Sequence, residues 1–381
     1  MGHPRRYLDN AATTWPKPPE VIAAWRRAAE EVGATAGRGL YREAIEATAI
    51  QTRARAAAAR LFGGVDPRRV ALPSGCTLGL NVLIHGLVRP RDHVIATAAD
   101  HNATLRPLHA LATRGVIDLS IVPCDAAGLV DPAAIVTAWR PATRAVVCSH
   151  VSNVTGAIQD VAAIATITHE RGGLLLLDAA QSLGIVPAER PGWGADGAVA
   201  PAHKWLHGTA GVAFLWTREG VEPAALVQGG TGSASESLEM PEAFAERLEA
   251  GTPDVPALAA AAAAAAWLEG RGGDSLAAAG RDLATRCAAE LAGLVGVRVA
   301  RVADAAPIVS FTVEGYDPAD VAAILEQAAA VQVRSGFHCA ALVHEHLGTR
   351  AGGTVRASFG PFNTAADVEA LVGAVAAIVR G

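Results

Sequence analysis

Lys204 and Asp178 are the pair from which a reaction can be read. The chain carries 32 lysines and arginines together, and its only lysines are Lys17 and Lys204. Arginine replaces lysine wherever a cation alone is needed, but not in imine chemistry. A Schiff base needs a neutral amine lone pair, and guanidinium does not deprotonate in proteins. Lys17 lies in Trp15-Pro16-Lys17-Pro18-Pro19, where a solvated turn accounts for it. Lys204 follows His203 after an apolar run with no surface pattern around it. Asp178 closes the run Leu174–Leu177, about one strand-loop-strand earlier. A carboxylate at that depth needs a cation to hold it, and a pyridinium nitrogen supplies one while making the ring an electron sink. With His101 stacked on the ring face, Lys204 and Asp178 describe a pyridoxal phosphate site. Ser74-Gly75-Cys76-Thr77, just before a helix starting near Leu78, offers small residues and free backbone N–H groups for the phosphate.

The elements that must carry these residues alternate. Val94–Thr97, Ala145–Cys148, Leu174–Leu177 and Gly197–Ala200 are short apolar runs bounded by polar or turn residues, with helical spacing between them, as in Ala162–Arg171. This predicts an α/β fold with a mainly parallel central sheet and helices on both faces. Ligands of such sheets collect beyond the carboxyl ends of the strands, and there stand His101, Asn153, Asp178 and Lys204. Gln228 to Glu239 reads as an ordered loop or flap. Pro253 and Pro256 precede an alanine-rich helix at Ala257 to Leu268 and mark a hinge into a smaller α+β C-terminal subdomain, with strands at Ile308–Val313 and Val331–Arg334 and a helix at Asp320–Ala330. The expected division is a large cofactor-binding domain over 17–255, with 1–16 and 256–381 forming the small domain.

Composition excludes several classes. A length of 381 residues, 51% hydrophobic content and a formal net charge of -5 describe a globular enzyme or binding protein. No basic block interleaves with aromatics, so nucleic acid is not an expected partner. The longest apolar run is too short to span a bilayer, and Met1–Arg6 lacks the apolar core of a signal peptide, so no membrane partner is expected. Five scattered cysteines without a CxxC pair argue against a disulfide framework or a metal site and fit a reducing cytoplasm.

Eight segments, in order and nearly end to end, resemble the class V aminotransferase family, specifically its group II cysteine desulfurases and a selenocysteine lyase-like branch. They are Tyr7-Leu8-Asp9-Asn10-Ala11-Ala12-Thr13-Thr14, Asp100-His101-Asn102, His150-Val151-Ser152-Asn153-Val154-Thr155-Gly156, Leu177-Asp178-Ala179-Ala180-Gln181, His203-Lys204, Glu249-Ala250-Gly251-Thr252-Pro253, Arg334-Ser335-Gly336-Phe337-His338-Cys339-Ala340 and Val355-Arg356-Ala357-Ser358. The resemblance implies fold type I of pyridoxal phosphate-dependent transferases. It implies that Lys204 forms the Schiff base and later moves the Cα proton, that His101 stacks on the ring, and that Asp178 pairs its nitrogen. Gln181 and Asn153 would contact the ring oxygen or substrate, and Thr77 and His203 the phosphate, alongside Gly75 and Cys76. Thr252 would reach the phosphate of a neighbouring subunit, which implies a homodimer. Arg356 has the planar fork for an amino-acid carboxylate, with Ala11 and Arg334 beside the substrate. Cys339 would attack the sulfur of bound L-cysteine, release alanine and hand a persulfide to an acceptor protein. L-selenocysteine is the alternative substrate, and a class V aminotransferase reaction that does not use Cys339 is the other alternative. Cys124, Cys148 and Cys287 read as structural, and Cys76 as near the phosphate through its backbone.

Three segments depart from the family pattern. Pro201 and Ala202 stand where Ser or Thr and Gly precede the His-Lys pair. Arg38-Gly39-Leu40-Tyr41 replaces Arg-Gly-x-His, and Leu78 takes the place of a common Glu. Proline brings neither hydroxyl nor N–H, so the expected change is in phosphate holding and substrate choice.

Overall fold

In a computed structural model, residues 5–233 and 235–381 are described. Met1–Pro4, on which the signal-peptide expectation falls in part, and Ala234, inside the 228–239 stretch, lie outside them. The strands are β1 (Arg6–Tyr7), β2 (Val70–Ala71), β3 (His93–Thr97), β4 (Asp118–Val122), β5 (Thr143–Ser149), β6 (Leu174–Asp178), β7 (Gly197–Pro201), β8 (Ala213–Thr217), β9 (Val297–Ala300), β10 (Ile308–Val313), β11 (Val331–Gln332), β12 (Arg334–Gly336) and β13 (Thr354–Ser358). A seven-stranded sheet runs in the order β2-β8-β7-β6-β5-β3-β4. From β7 to β4 its pairings are parallel, whereas β8 runs antiparallel to both β7 and β2. The mainly parallel sheet expected from the alternation is therefore present, with an antiparallel edge.

Each central strand is buried on both faces, which is why it reads as a continuous apolar run. Leu175 and Leu177 point into one core with Ile95, Val146, Phe214 and Trp216. Leu174 and Leu176 point into the other with Val94, Val147 and Leu215. The first face is covered by α1 (Pro19–Arg27), α2 (Arg42–Leu61), α6 (Val161–Glu170) and α8 (Val255–Gly270), and the second by α3 (Cys76–Leu87) and α4 (Asn102–Thr113). The alanine-rich run expected at 257–268 lies within α8, whose small side chains let it pack closely on α1 and α2. A four-stranded antiparallel sheet, β12-β13-β10-β9, builds a separate core with the helices Gly273–Ala292, Pro318–Ala329 and Ala365–Arg380. The strand expected over Val331–Arg334 is two strands. Val331–Gln332 pairs with β1, and Arg334–Gly336 turns away to pair with β13.

Cys124 and Cys148 are buried in the first core and Cys287 in the third, in line with a structural role. Among the described residues no helix is long and apolar enough to cross a membrane.

Two core histidines make stability pH-dependent. Burial pushes His150 down to about 4 and His207 down to about 3. Both are neutral in the folded chain, while the unfolded chain protonates them near 6.5. Their contribution is complete above pH 6.5 and is lost as pH falls through about 4 for His150 and about 3 for His207. Thermal melts should therefore show His150→Phe with a shallower acid decline than wild type, by about 1.4 kcal/mol per pH unit between 6.5 and 4. Parallel declines would contradict this.

Candidate functional site

The carboxyl ends of β3, β5, β6 and β7 open onto one cavity of about 410 Å3. Lys204, Asp178, His101, Asn153, Gln181 and His203 line it, together with Gly75, Cys76 and Thr77 at the start of α3, Ala11 from the N-terminal segment, Arg334 and Arg356 from the second sheet, and His338 from the turn after β12. Residues scattered over most of the chain thus meet because strand ends meet.

Each is held by its local structure. Asp178 is the last residue of β6, is 4% exposed, and accepts from the backbone N–H of Ala180 at 2.9 Å. Lys204 lies in the turn after β7. Burial pushes its amine below the usual lysine value, opposed in part by the Asp178 charge. That environment favours the neutral amine an imine requires. His101 caps α4 by accepting the Ala103 N–H on Nδ1 at 2.9 Å, which fixes its ring. Its basicity is lowered by burial, with Asp178 pulling the other way. Asp100, just before it, accepts from the Thr97 N–H at 2.8 Å and the Ser149 N–H at 2.6 Å, tying the ends of β3 and β5 together. Burial pushes that carboxyl up to about 7.

Gln181 Nε2 donates to the Ala11 carbonyl at 2.9 Å, and its Oε1 accepts from Trp205 Nε1 at 2.6 Å. One amide hydrogen remains to face the cavity. Asn153 Nδ2 donates to the His338 carbonyl at 2.7 Å, and Oδ1 has no hydrogen-bond partner among the described residues. The start of α3 has no side-chain cap, so its first N–H groups stay available to an anion. His203 beside it is neutral, its ring pushed down to about 4 by burial and by the Lys204 and Lys17 charges. Pro201 lines the cavity at the end of β7 and offers no hydroxyl there. Cys76 comes closer to the chemistry than its backbone alone. Its Sγ lies 3.9 Å from Asp178 Oδ1, and burial keeps the thiol protonated.

Arg334 and Arg356 sit directly opposite each other on β12 and β13. Like charges in that register repel and suit an anion between or beside them. Arg356 is 1% exposed; Nη2 pairs with Asp9 Oδ1 at 2.8 Å, Nη1 donates to the Asn153 carbonyl at 2.9 Å, and Nε has no partner among the described residues. Cys339 is exposed and lies outside the cavity lining, 3.5 Å from Arg334 Nη2. The Cys339 carbonyl accepts from the Asn102 N–H at 2.7 Å, and the His338 ring bonds Thr354 at 3.0 Å. His338 and Cys339 both have left-handed backbone, with φ of 50° and 61°. Such positions persist where the surroundings over-determine them, so the backbone that carries the thiol is held next to His338 and Arg334, which line the cavity.

Gly353 guards that loop. It has a φ of 82°, and a Cβ there would run into the carbonyl of Gly336. Gly353→Ala should leave the two large cores intact, while the reaction of Cys339 with a bulky thiol reagent changes and turnover drops at least about tenfold. A variant with wild-type turnover would show that the loop's position is not critical.

Thr252 is exposed and lines an adjoining cavity of about 570 Å3, where Arg38 Nη1 reaches its hydroxyl at 3.4 Å. The two cavities share Ser74, Gly211 and Val212. Tyr41, at 56% exposed, and Leu78 are outside the lining of the first. Three contacts were not read from the sequence: Asp9 on Arg356, Trp205 on Gln181, and Lys17 on His203. Asp9 was within reach, since it belongs to the motif that carries Ala11. Lys17 corrects the solvated-turn reading. Its ammonium is partly buried and bonds Thr14 Oγ1 at 2.8 Å and the His203 carbonyl at 2.9 Å.

A parallel sheet whose strand ends present an aspartate and a lysine, closed by a small antiparallel domain carrying an arginine, defines fold type I of the pyridoxal phosphate-dependent enzymes. The family model for class-V aminotransferases matches residues 6–371, and the chain belongs to that family. It is 33% identical to a probable cysteine desulfurase of Methanothermobacter thermautotrophicus, over 96% of this chain and 92% of that protein. It is 30% identical to cysteine desulfurase CsdA of Escherichia coli, over 97% and 92%. Among solved structures, the apo cysteine desulfurase of Thermococcus onnurineus matches with a TM-score of 0.91 and 29% identity, covering 99% of this chain and 95% of that one.

Proposed function

We propose that this protein is a pyridoxal phosphate-dependent cysteine desulfurase that converts L-cysteine to L-alanine and places the sulfur on Cys339. The observation that carries the reading is an exposed cysteine 3.5 Å from Arg334, which lines the cavity that holds Lys204 and Asp178. A transaminase has no use for a thiol there. Relatives named cysteine desulfurase at about a third identity, matched over almost their whole length, support it.

The residues fit the cofactor. A buried carboxylate, a lysine amine held toward neutrality and an uncapped helix start face one space. Asp178 would pair the pyridine nitrogen, His101 would cover the ring, and Gln181 and Asn153 would meet the ring oxygen or substrate. The phosphate would rest on the N–H groups at Gly75, Cys76 and Thr77 with His203. When bound, pyridoxal phosphate supplies an electron sink for charge developing on the substrate Cα. Lys204 Nζ would attach it and then move the Cα proton. Arg356 Nε, with Arg334 and Ala11 nearby, would take the substrate carboxylate and so aim its sulfur outward. The Cys339 thiolate attacks that sulfur, the carbon–sulfur bond breaks, and the carbon, once protonated, leaves as alanine. Cysteine and one thiol thus become alanine and one persulfide. Because the Cys339 loop is fixed, an acceptor protein would have to bring its own thiol to the persulfide.

Thr252 stands outside the cavity of its own chain, beside Arg38. We propose that it serves the phosphate of a second subunit, making the enzyme a homodimer. Five unpaired cysteines suit a reducing cytoplasm.

The test is alanine and sulfide formation from L-cysteine by the cofactor-loaded protein. Alanine in step with sulfide is expected. No alanine, with conversion of the bound cofactor to its amine form, would replace the reading with transamination. Cleavage of L-selenocysteine alone would replace it with a lyase.

A further inference from the structure

Both lysines of a chain that otherwise uses arginine converge on one peptide. Lys204 follows β7 in the turn beyond Ala202, whose N–H still bonds the Val212 carbonyl at 3.1 Å. The His203 carbonyl is held instead from the N-terminal segment. It accepts from the Thr14 N–H at 3.1 Å, Thr13 Oγ1 at 3.1 Å and Lys17 Nζ at 2.9 Å. The Lys17 ammonium also donates to Thr14 Oγ1 at 2.8 Å, and that hydroxyl lies 3.1 Å from the Lys204 carbonyl. Thr14 is 1% exposed. A bond from a charged donor is the strongest in such a set, roughly twice a neutral one. A compact ammonium can serve a carbonyl and a hydroxyl together as a point donor, whereas a planar guanidinium presents its donors in a fixed fork.

We propose that Lys17 is a positioning residue for Lys204: its ammonium, anchored by Thr14, clamps the His203–Lys204 peptide and thereby aims the reactive amine. The proposal rests on the reading of Lys204 as the residue that attaches the cofactor. Rotation of this peptide would swing the Lys204 Cα, and a displacement of about 1 Å in a reacting group lowers turnover by about 10²-fold. The same charge helps keep His203 neutral, so the clamp also bears on how the phosphate is held. Burial lowers Lys17 itself to about 8, as befits an amine enclosed by protein rather than solvated.

The test compares wild type with Lys17→Met and Thr14→Val in the full chain, with three readouts. Amide hydrogen exchange across 201–207 needs no cofactor and should quicken about tenfold or more in Lys17→Met. With pyridoxal phosphate bound, the pH midpoint of its visible absorption band should shift. For alanine formation, kcat should drop about tenfold or more while KM stays within twofold. Thr14→Val removes the anchor but not the cation, and it should move each readout the same way by less. Unchanged exchange, band midpoint and kcat in Lys17→Met would overturn the proposal. If Lys17→Met does not fold, unchanged readouts in Thr14→Val would overturn it equally. Failure of wild type to bind pyridoxal phosphate would sink the functional reading instead, and the exchange experiment would still decide the clamp.

Discussion

Lys204→Arg should abolish turnover of L-cysteine, with a loss of about 10⁴-fold or more, while the chain keeps its fold. Arginine sets a permanent cation opposite Asp178, so the change isolates what a cation alone cannot do. Guanidinium cannot present a lone pair to an aldehyde, nor accept a proton from the substrate near neutral pH. Loss of a positioned acid–base group by itself lowers rates about 10²–10⁴-fold, and loss of covalent attachment adds to that. The check is the visible spectrum after gel filtration with added pyridoxal phosphate, beside an alanine assay. Wild type should retain a yellow band, and the variant should lose it on dilution. A variant that kept both band and activity would remove Lys204 from the mechanism.

Cys339→Ser should separate the two halves of the site. The side chain is exposed and makes no core contact, so stability should change little. Cofactor uptake should match wild type, because Lys204, Asp178 and the start of α3 are untouched. Alanine and sulfide formation should fall by about 10³-fold or more, the scale on which removal of a nucleophile acts when no other group takes its place. Cys76, the thiol that lines the cavity, is held protonated beside Asp178 and is not a ready substitute. Persistent alanine formation in this variant would direct attention to that thiol.

The sheet was legible because its strands are buried on both faces. Leu174–Leu177 has no polar residue to break it, and Asp178 marks its end by chemistry alone. His101, Asn153 and Lys204 could be gathered at one edge because a parallel sheet puts equivalent strand ends together. The direction of β8 was not legible. Ala213–Thr217 is an apolar run like its neighbours, and nothing local says that it runs the other way. The split between β11 and β12 was hidden for the same reason, since Val333 continues the pattern across the change of partner. Lys17 was misread because Pro16 and Pro18 signal a turn truly enough, while the contact that buries its ammonium comes from a segment far along the chain. Local pattern reports burial well and partners poorly.

The opposed arginines of β12 and β13 have a consequence for selectivity. With nothing bound, their register sets two positive charges against each other, and Asp9 relieves only one of them. A substrate carboxylate relaxes that tension; a simple thiol or a decarboxylated amine does not. On the proposed reading, the resting sheet is electrostatically frustrated in a way that a zwitterionic amino acid resolves. The preference for amino acids over other sulfur compounds would then be stored in the fold before any substrate arrives.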